Sequence, residues 1–502
     1  MSSVRVTYSG LISFAVGIIT VITGLIFTLI VTRQLTQEEF GTWGLIGALT
    51  GYVLVMSPVI SYWTTREVAR GEESGKTAMI STAGLTGIGI IVYIGIAILM
   101  AFQEGIDIYI LILAVILVPV EYFRMTLNSI SLGYKPQISE YGLLVFELTK
   151  IPLGFLMVVH FEMGIVGAII TVAIATITNI ITLAIKTRKK LKSQFSLEYL
   201  KKWLRLFWLP TFPKIGQLLL QSEVVVYTVI SGSVGGLAYW IAANAISRTV
   251  KHSLRVNKAL YPKLVSGGKK EYFQDNIVTV FYFALPLMGL TIVFAKPGLF
   301  LLNPIYEMAW PIVIISSFTV LFRSLGEIFR QSLTGVEQVD ASKTSVFKDY
   351  LRSKLFFVPF ITNIQRAVYI VTLVLVLVLA VSSTESEMDL VIYWAWVALF
   401  TQLPFTVYLY ILVRKEFEPK IDFAKIVKYL GSTIVSFLIV HFIMEEFLVY
   451  HISIYQFLPE FLKYVFLSAL LYLSITYVID NKTRNLVNLV LKEFRKKGNV
   501  VE

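Results

Sequence analysis

Residues 186–205 read KTRKKLKSQFSLEYLKKWLR, eight Lys or Arg against one Glu. On either side lie long apolar tracts, each divisible into segments of about 20 residues, the length that crosses a hydrocarbon core. The stretch therefore reads as a bridge between two membrane-embedded halves. Its residues are expected to form a solvated basic linker with no ligand of its own. Their value is topological, since Lys and Arg stay on the cytoplasmic side when a chain inserts.

Composition points the same way. Of 502 residues, 56% are hydrophobic and only 15% are charged, with a mean hydropathy of +0.75. Soluble domains carry roughly 25% charged residues, so this is a polytopic membrane protein. The net charge of +12 sits in short loops between apolar runs. Topology accounts for it, and no nucleic-acid partner is expected. With no cysteine, disulfides, thiol catalysis and cysteine metal sites are excluded. His160, His252, His441 and His451 lie too far apart in the chain to suggest a metal site, and no metal or cofactor is expected. The first apolar run, about 22 residues, exceeds the apolar core of a signal peptide and reads as a retained span.

Apolar runs predict an all-α fold of about fourteen spans, each roughly 20–27 residues. They fall at 10–31, 42–63, 78–102, 107–133, 138–160 and 164–185; at 206–231, 235–260, 277–302, 309–335, 355–381 and 390–413; and at 426–444 and 457–479. Residues 1–185 form a six-helix lobe, 186–205 the linker, 206–413 a second six-helix lobe, and 414–502 two additional helices with a basic tail. Loops after even-numbered spans, with both termini and the adjoining span ends, hold about 34 of the 44 Lys and Arg. At the opposite end lie only Arg33, in the loop after the first span, and Lys296 and Lys463, near the corresponding ends of the ninth and fourteenth spans. The expectation is a multi-pass protein of the cell membrane with both termini cytoplasmic. No loop is long enough for a soluble domain.

Some charges fall inside spans. Arg124, Lys150, Lys214, Arg248, Arg323, Arg330 and Arg366 do so, with Glu121, Glu147, Glu223 and Glu327. An ion at the bilayer centre costs at least about 2.5–3.5 kcal/mol, so each must face protein or water. Lys150 and Arg366, about 12 residues from the cytoplasmic ends of their spans, fall near the midplane. In the eighth span Asn244, Arg248, Lys251 and Arg255 recur at helical spacing and predict a basic stripe. Glu121 and Arg124, Glu147 and Lys150, and Arg323 and Glu327 are spaced to pair along their own helices. Lys214, Arg248 and Arg366 have no acid three or four positions away.

Seven cations against four anions predict a water-filled, net-positive cavity open to the cytoplasm, whose natural guest is an anion. Phosphate or pyrophosphate suits it, because guanidinium binds phosphoryl oxygens in bidentate fashion. Head-group binding is thus expected from Arg124, Lys150, Lys214, Arg248, Lys251, Arg323, Arg330 and Arg366. Glu147, Glu223 and Glu327 are candidates for coupling to H+ or Na+. Pro210 and Pro213 bracket the start of the seventh span, and Pro119, Pro152, Pro286, Pro359 and Pro404 lie inside others, where they can act as bending points.

The first hairpin, residues 10–70, reads GLISFAVGIITVITGLIFTLIVTRQLTQEEFGTWGLIGALTGYVLVMSPVISYWTTREVAR. It resembles the opening of polysaccharide and O-antigen flippases of the multidrug/oligosaccharidyl-lipid/polysaccharide exporter superfamily, on Arg33, Leu35, Glu38, Glu39, Phe40, Gly41 and Trp43, with Arg66 after the second span. The chemistry of Gln37-Glu38-Glu39-Phe40-Gly41 is that of a turn and helix start, so their role is structural. A fainter copy, SGSVGGLAYWIAANAI after the seventh span, places Tyr239 near the position of Trp43 but Leu237 where the glycine would be.

The resemblance implies a two-lobed transporter and, as substrate, a polyprenyl (dolichyl or undecaprenyl) phosphate- or pyrophosphate-linked oligosaccharide. Such a protein moves it from the cytoplasmic to the outer leaflet by alternating access, for polysaccharide export or protein glycosylation. It also implies a monomer among membrane lipids, with the last two spans as a groove for the lipid tail. Two alternatives stay open. A cation-coupled multidrug exporter of the same superfamily favours acidic cavities, against the excess of Lys and Arg here. An integral-membrane glycosyltransferase or polymerase needs acidic catalytic residues near a membrane face and long extramembrane loops. No catalytic residue is expected.

Overall fold

The computed structural model describes residues 6–104, 106–259, 271–337, 347–383 and 386–481, with 339, 483 and 484. Among them every regular element is helical. In order these are α1 (Val6–Gln34), α2 (Gln37–Val53), α3 (Pro58–Ala69), α4 (Gly75–Glu104), α5 (Ile108–Leu113), α6 (Leu117–Tyr134), α7 (Gln137–Gly154), α8 (Gly164–Leu191), α9 (Leu197–Arg205), α10 (Trp208–Thr211), α11 (Ile215–Ser231) and α12 (Gly235–Ser247). Then come α13 (Glu271–Val293), α14 (Ala295–Leu302), α15 (Trp310–Gly335), α16 (Phe347–Arg352), α17 (Lys354–Val381), α18 (Glu387–Phe417), α19 (Phe423–Phe447) and α20 (Ile454–Ile479).

Eleven helical stretches among the described residues are long and apolar enough to cross a membrane. The 29-residue α1, the 17-residue α11, and α12 with the 3-10 segment Arg248–Ala259 occupy the three remaining expected spans. The chain is an all-α polytopic membrane protein.

Several spans are broken, and the breaks follow proline. Pro58 opens α3 after the 3-10 turn Leu54–Met56, and Pro213 sits in the 3-10 turn Phe212–Lys214. Pro152 lies three residues before Phe155–His160, which winds as a π-helix. Each proline removes an N–H and crowds the carbonyl four residues back, so the ladder must tighten or widen nearby. Pro286, Pro359 and Pro404, by contrast, lie within unbroken helices.

Loop contacts obey the expected alternation. At one end, the Gln37 amide donates to the Gly235 carbonyl (3.2 Å), the Glu39 carboxylate accepts from the Ile165 N–H (3.3 Å), and the Tyr227 hydroxyl donates to the Glu387 carbonyl (3.4 Å). These residues flank the loops after the first, fifth, seventh and eleventh spans. At the other, the Lys76 N–H donates to the Ser193 hydroxyl (3.1 Å) and the Ser196 N–H to the Thr77 hydroxyl (2.9 Å). Those flank the loops after the second and sixth spans. The latter is the basic end.

By packing the chain divides into two compact units, Met1–Ile241 with Pro359–Trp394, and Ala242–Val358 with Ala395–Glu502. In the second unit a tyrosine cluster ties the last two spans down. Tyr282, Tyr429 and Tyr472 are mutually packed, Tyr472 donates to the Tyr282 carbonyl (2.7 Å), and Tyr429 to the Asp480 carboxylate (3.1 Å).

Candidate functional site

The start of α11 is built by its prolines. After the single turn of α10, the 3-10 turn Phe212–Lys214 leads into α11 at Ile215, and Lys214 Nζ donates to Gln217 (3.1 Å). Two residues on, the buried Gly216 leaves room for α17: a Cβ there would lie 2.8 Å from Arg366 Cδ and 3.0 Å from its Nη1. The guanidinium of Arg366 therefore rests against α11 where α11 has no side chain. Asn363, one turn earlier on α17, donates to the Phe212 carbonyl (3.0 Å), while its Oδ1 is buried without a hydrogen-bond partner.

Further along the same seam, the Tyr369 hydroxyl donates to Glu223 Oε2 (2.5 Å) and accepts from Trp394 Nε1 (2.7 Å). Trp394 is stacked on Tyr227 and on Trp240, at 5.1 and 4.0 Å between centroids. Along α17, Tyr369, Leu373 and Leu377 are buried while Val368, Val371, Leu375 and Leu379 are exposed. Arg366, three residues before Tyr369, belongs to the buried face. Lys214, Arg366 and Glu223 thus share one seam of the first unit, away from the exposed apolar stripe.

The other cations of that unit are held locally. Lys150 Nζ lies 2.6 Å from Glu147 Oε2, which also accepts from the Thr23 hydroxyl of α1 (2.7 Å). The Phe27 and Phe146 rings flank the ammonium at 5.4 and 4.9 Å, a favourable arrangement for a cation. Arg124 Nε and Nη2 both reach Glu121 Oε2, at 2.9 and 2.5 Å.

In the second unit the eighth span departs from the predicted stripe. From Arg248 it winds as a 3-10 helix, with three residues per turn and eclipsed i, i+3 positions. Ser247, Val250 and Ser253 are buried, and Arg248 and Lys251 share an adjacent exposed face. Asn244 lies on the preceding α-helix, and the side chain of Arg255 is outside the described residues. The 3-10 segment packs on α15, which carries Arg323, Glu327 and Arg330.

There Glu327 bonds Arg330, and Gln331 at 2.9 Å, rather than the expected Arg323. The acid placed N-terminal to the base is the favoured order on a helix, the same order as in Glu121–Arg124 and Glu147–Lys150. Among the described residues Arg323 has no ion-pair partner. The eight predicted head-group residues thus divide evenly: Arg124, Lys150, Lys214 and Arg366 in the first unit, Arg248, Lys251, Arg323 and Arg330 in the second. No metal-binding cluster of His, Asp or Glu occurs among the described residues.

The linker differs from the solvated segment expected, because α9 is docked. Trp203 is fully buried with Ile60 and Ala78, and its Nε1 donates to both oxygens of Glu67 at 3.2 Å. Lys202 Nζ reaches Glu67 Oε1 at 3.0 Å. The Tyr199 hydroxyl donates to Glu72 (2.6 Å). That bond, followed by burial, pushes the Tyr199 hydroxyl up to about 12. Sequence reasoning passed over Glu67, Trp203, Asn363, Tyr369 and Thr23. Of these only Asn363 had a local signal, lying three residues before Arg366.

No protein-family model and no curated protein matches the sequence. Among solved structures, the lipid II flippase MurJ in an inward closed conformation is similar over 95% of this chain and 99% of its own, with a TM-score of 0.68 and 14% identity. An inward-facing multidrug resistance MATE family transporter of the MOP superfamily is similar over 80% of this chain and 95% of its own, at 0.59 and 13%. The chain has the MOP-superfamily fold. A further MOP transporter, from Pyrococcus furiosus, described as having a binding pocket of reverse polarity, gives 0.50 and 12% over 83% of this chain and 96% of its own.

In this MOP-fold protein the Gln37–Gly41 motif is structural, as its chemistry predicts. Thr36 caps α2 and Glu39 completes a capping box, with bonds of 3.2 and 3.0 Å, satisfying two N–H groups left open at the helix start. Gly41 faces the Val234 carbonyl, which occupies the space any Cβ would need. The first hairpin and its faint second copy therefore meet, glycine against turn.

Proposed function

We propose that the protein is a flippase that carries a polyprenyl (dolichyl or undecaprenyl) phosphate- or pyrophosphate-linked oligosaccharide across the cell membrane by alternating access. It serves polysaccharide export or protein glycosylation, works as a monomer, and keeps both termini in the cytoplasm. The observation that carries this reading is Arg366, a guanidinium on the buried face of α17, set against Gly216, which follows Lys214 by two residues in the chain. A cation kept off the lipid-facing stripe at that depth is suited to a phosphorylated head group. The similarity to a lipid II flippase supports a lipid-linked substrate.

Head-group binding is assigned to Arg366 and Lys214 within the first unit and, separately, to Arg248, Lys251 and Arg323 within the second. Arg124, Lys150 and Arg330, each held by its own glutamate, contribute field rather than direct grip. Of Glu147, Glu223 and Glu327, we assign ion coupling first to Glu223, because Tyr369 links it to the helix that carries Arg366. No residue is assigned a catalytic role. The test is glycan export in strains carrying Arg366→Gln or Arg248→Gln, with membrane insertion checked separately. Both substitutions should abolish export while leaving the protein inserted, and wild-type export in both removes the basis for the anion site.

A second reading, a cation-coupled multidrug exporter, draws on the similarity to a multidrug resistance MATE family transporter. Drug resistance on overexpression, with no glycan phenotype on deletion, decides in its favour.

A further inference from the structure

The docked linker helix α9 has three faces. Tyr199 and Trp203, four residues apart, point into the first unit, where Glu67 and Glu72 hold them. Lys201 and Arg205, also four apart, are exposed on the opposite side, with Glu198 beside them and Lys202 drawn to Glu67. Between these lies an apolar arc on which Leu197 and Leu204 are 51% and 55% exposed; Phe207, just beyond the helix, is 49% exposed. An apolar arc left uncovered beside a basic flank, on a helix pinned along its third side, is built to lie in the plane of a membrane interface.

The chain geometry leaves α9 little alternative. It is tied on one side to α8, which ends at Leu191, and on the other to α10, which begins at Trp208, so it sits where two spans leave the bilayer. The exposed leucines suit acyl chains and glycerol backbones, and a soluble ion makes no use of them. The flanking Lys201 and Arg205, with Lys186, Arg188, Lys189 and Lys192 upstream, complement negative head groups.

We propose that α9 is a lipid-recognition element that binds anionic phospholipids in the leaflet at the basic end of the helices, using Leu197, Leu204 and Phe207 for the apolar contact and Lys201 and Arg205 for the head group. The site is distinct from the α11–α17 seam and needs no transport to operate. Removing a basic residue at such a surface weakens the preference for anionic lipid about fivefold.

The absence of cysteine makes the test direct. The full chain with Phe207→Cys, labelled with a fluorophore, is placed in nanodiscs of phosphatidylcholine mixed equally with phosphatidylglycerol, with a nitroxide on the head group of one lipid or the other. Stronger quenching by labelled phosphatidylglycerol, weakened by salt and lost in Lys201→Gln/Arg205→Gln, is the expected result. Equal quenching by the two lipids, or a preference that survives the double substitution, overturns the proposal. Quenching by neither places α9 away from the bilayer and overturns it as well.

Discussion

Glu147 and Lys150 form an ion pair of 2.6 Å whose side chains are 4% and 9% exposed. Thr23 donates to the same carboxylate oxygen from another helix. The pair neutralises two charges buried within the protein, and the Thr23 bond ties α7 to α1.

Breaking one side of this pair leaves the other charge buried. Glu147→Gln or Lys150→Met alone should lower stability by about 3–5 kcal/mol, whereas the double substitution should recover most of the loss. Thermal unfolding of the purified protein in detergent, on all three variants, measures this. Equal losses in the double and single variants would show that the ion pair itself is the stabilising element.

The seat of Arg366 depends on Gly216. In Gly216→Ala the new Cβ would lie 2.5 Å from Asn363 Oδ1 and 2.8 Å from Arg366 Cδ, so these two side chains must give way, at a cost of about 1–3 kcal/mol. Export should fall with it. Gly84→Ala, where nothing lies within 4 Å, serves as the control and should stay within about 0.5 kcal/mol of wild type. Unfolding and glycan export on the two variants are to be compared.

The bridge from Glu223 through Tyr369 to Trp394 spans three helices. Tyr369→Phe removes a donor from the glutamate and an acceptor from the indole, and should cost about 1–3 kcal/mol. Trp394→Phe removes one of the same bonds. The double variant should therefore lose less than the sum of the two, a difference read from denaturation midpoints.

The linker dock should be alkali-sensitive. The Tyr199 hydroxyl is raised from 10.0 to about 12, first by its bond to Glu72. The folded state holds this proton more tightly than the unfolded one. The stabilisation is therefore complete below about pH 10 and fades as pH rises towards about 12. Protease cleavage of the linker in wild type and Tyr199→Phe, followed across that window, should differ below it and converge above it.

Much of this was written in the residue order. Apolar run length is a local property, so the spans could be read one by one, and the alternation of Lys and Arg between loops ordered them into two ends. The buried charges were equally visible, as were the acid-before-base pairs at 121–124 and 147–150, because helical neighbours are also sequence neighbours. The same spacing left Glu327 a choice between Arg323 and Arg330, and the expected partner was the other one. Backbone winding was not visible: the eighth span has helical periodicity throughout, yet it tightens to three residues per turn from Arg248.

The tertiary structure alone decided which distant residues meet. Thr23 and Glu147 are 124 positions apart, Phe212 and Asn363 151, and Glu67 and Trp203 136. Nothing in a sequence window distinguishes these partners from any other threonine, asparagine or tryptophan. The bonds exist because packed helices bring the groups together where water cannot compete for them, and that choice belongs to the whole fold.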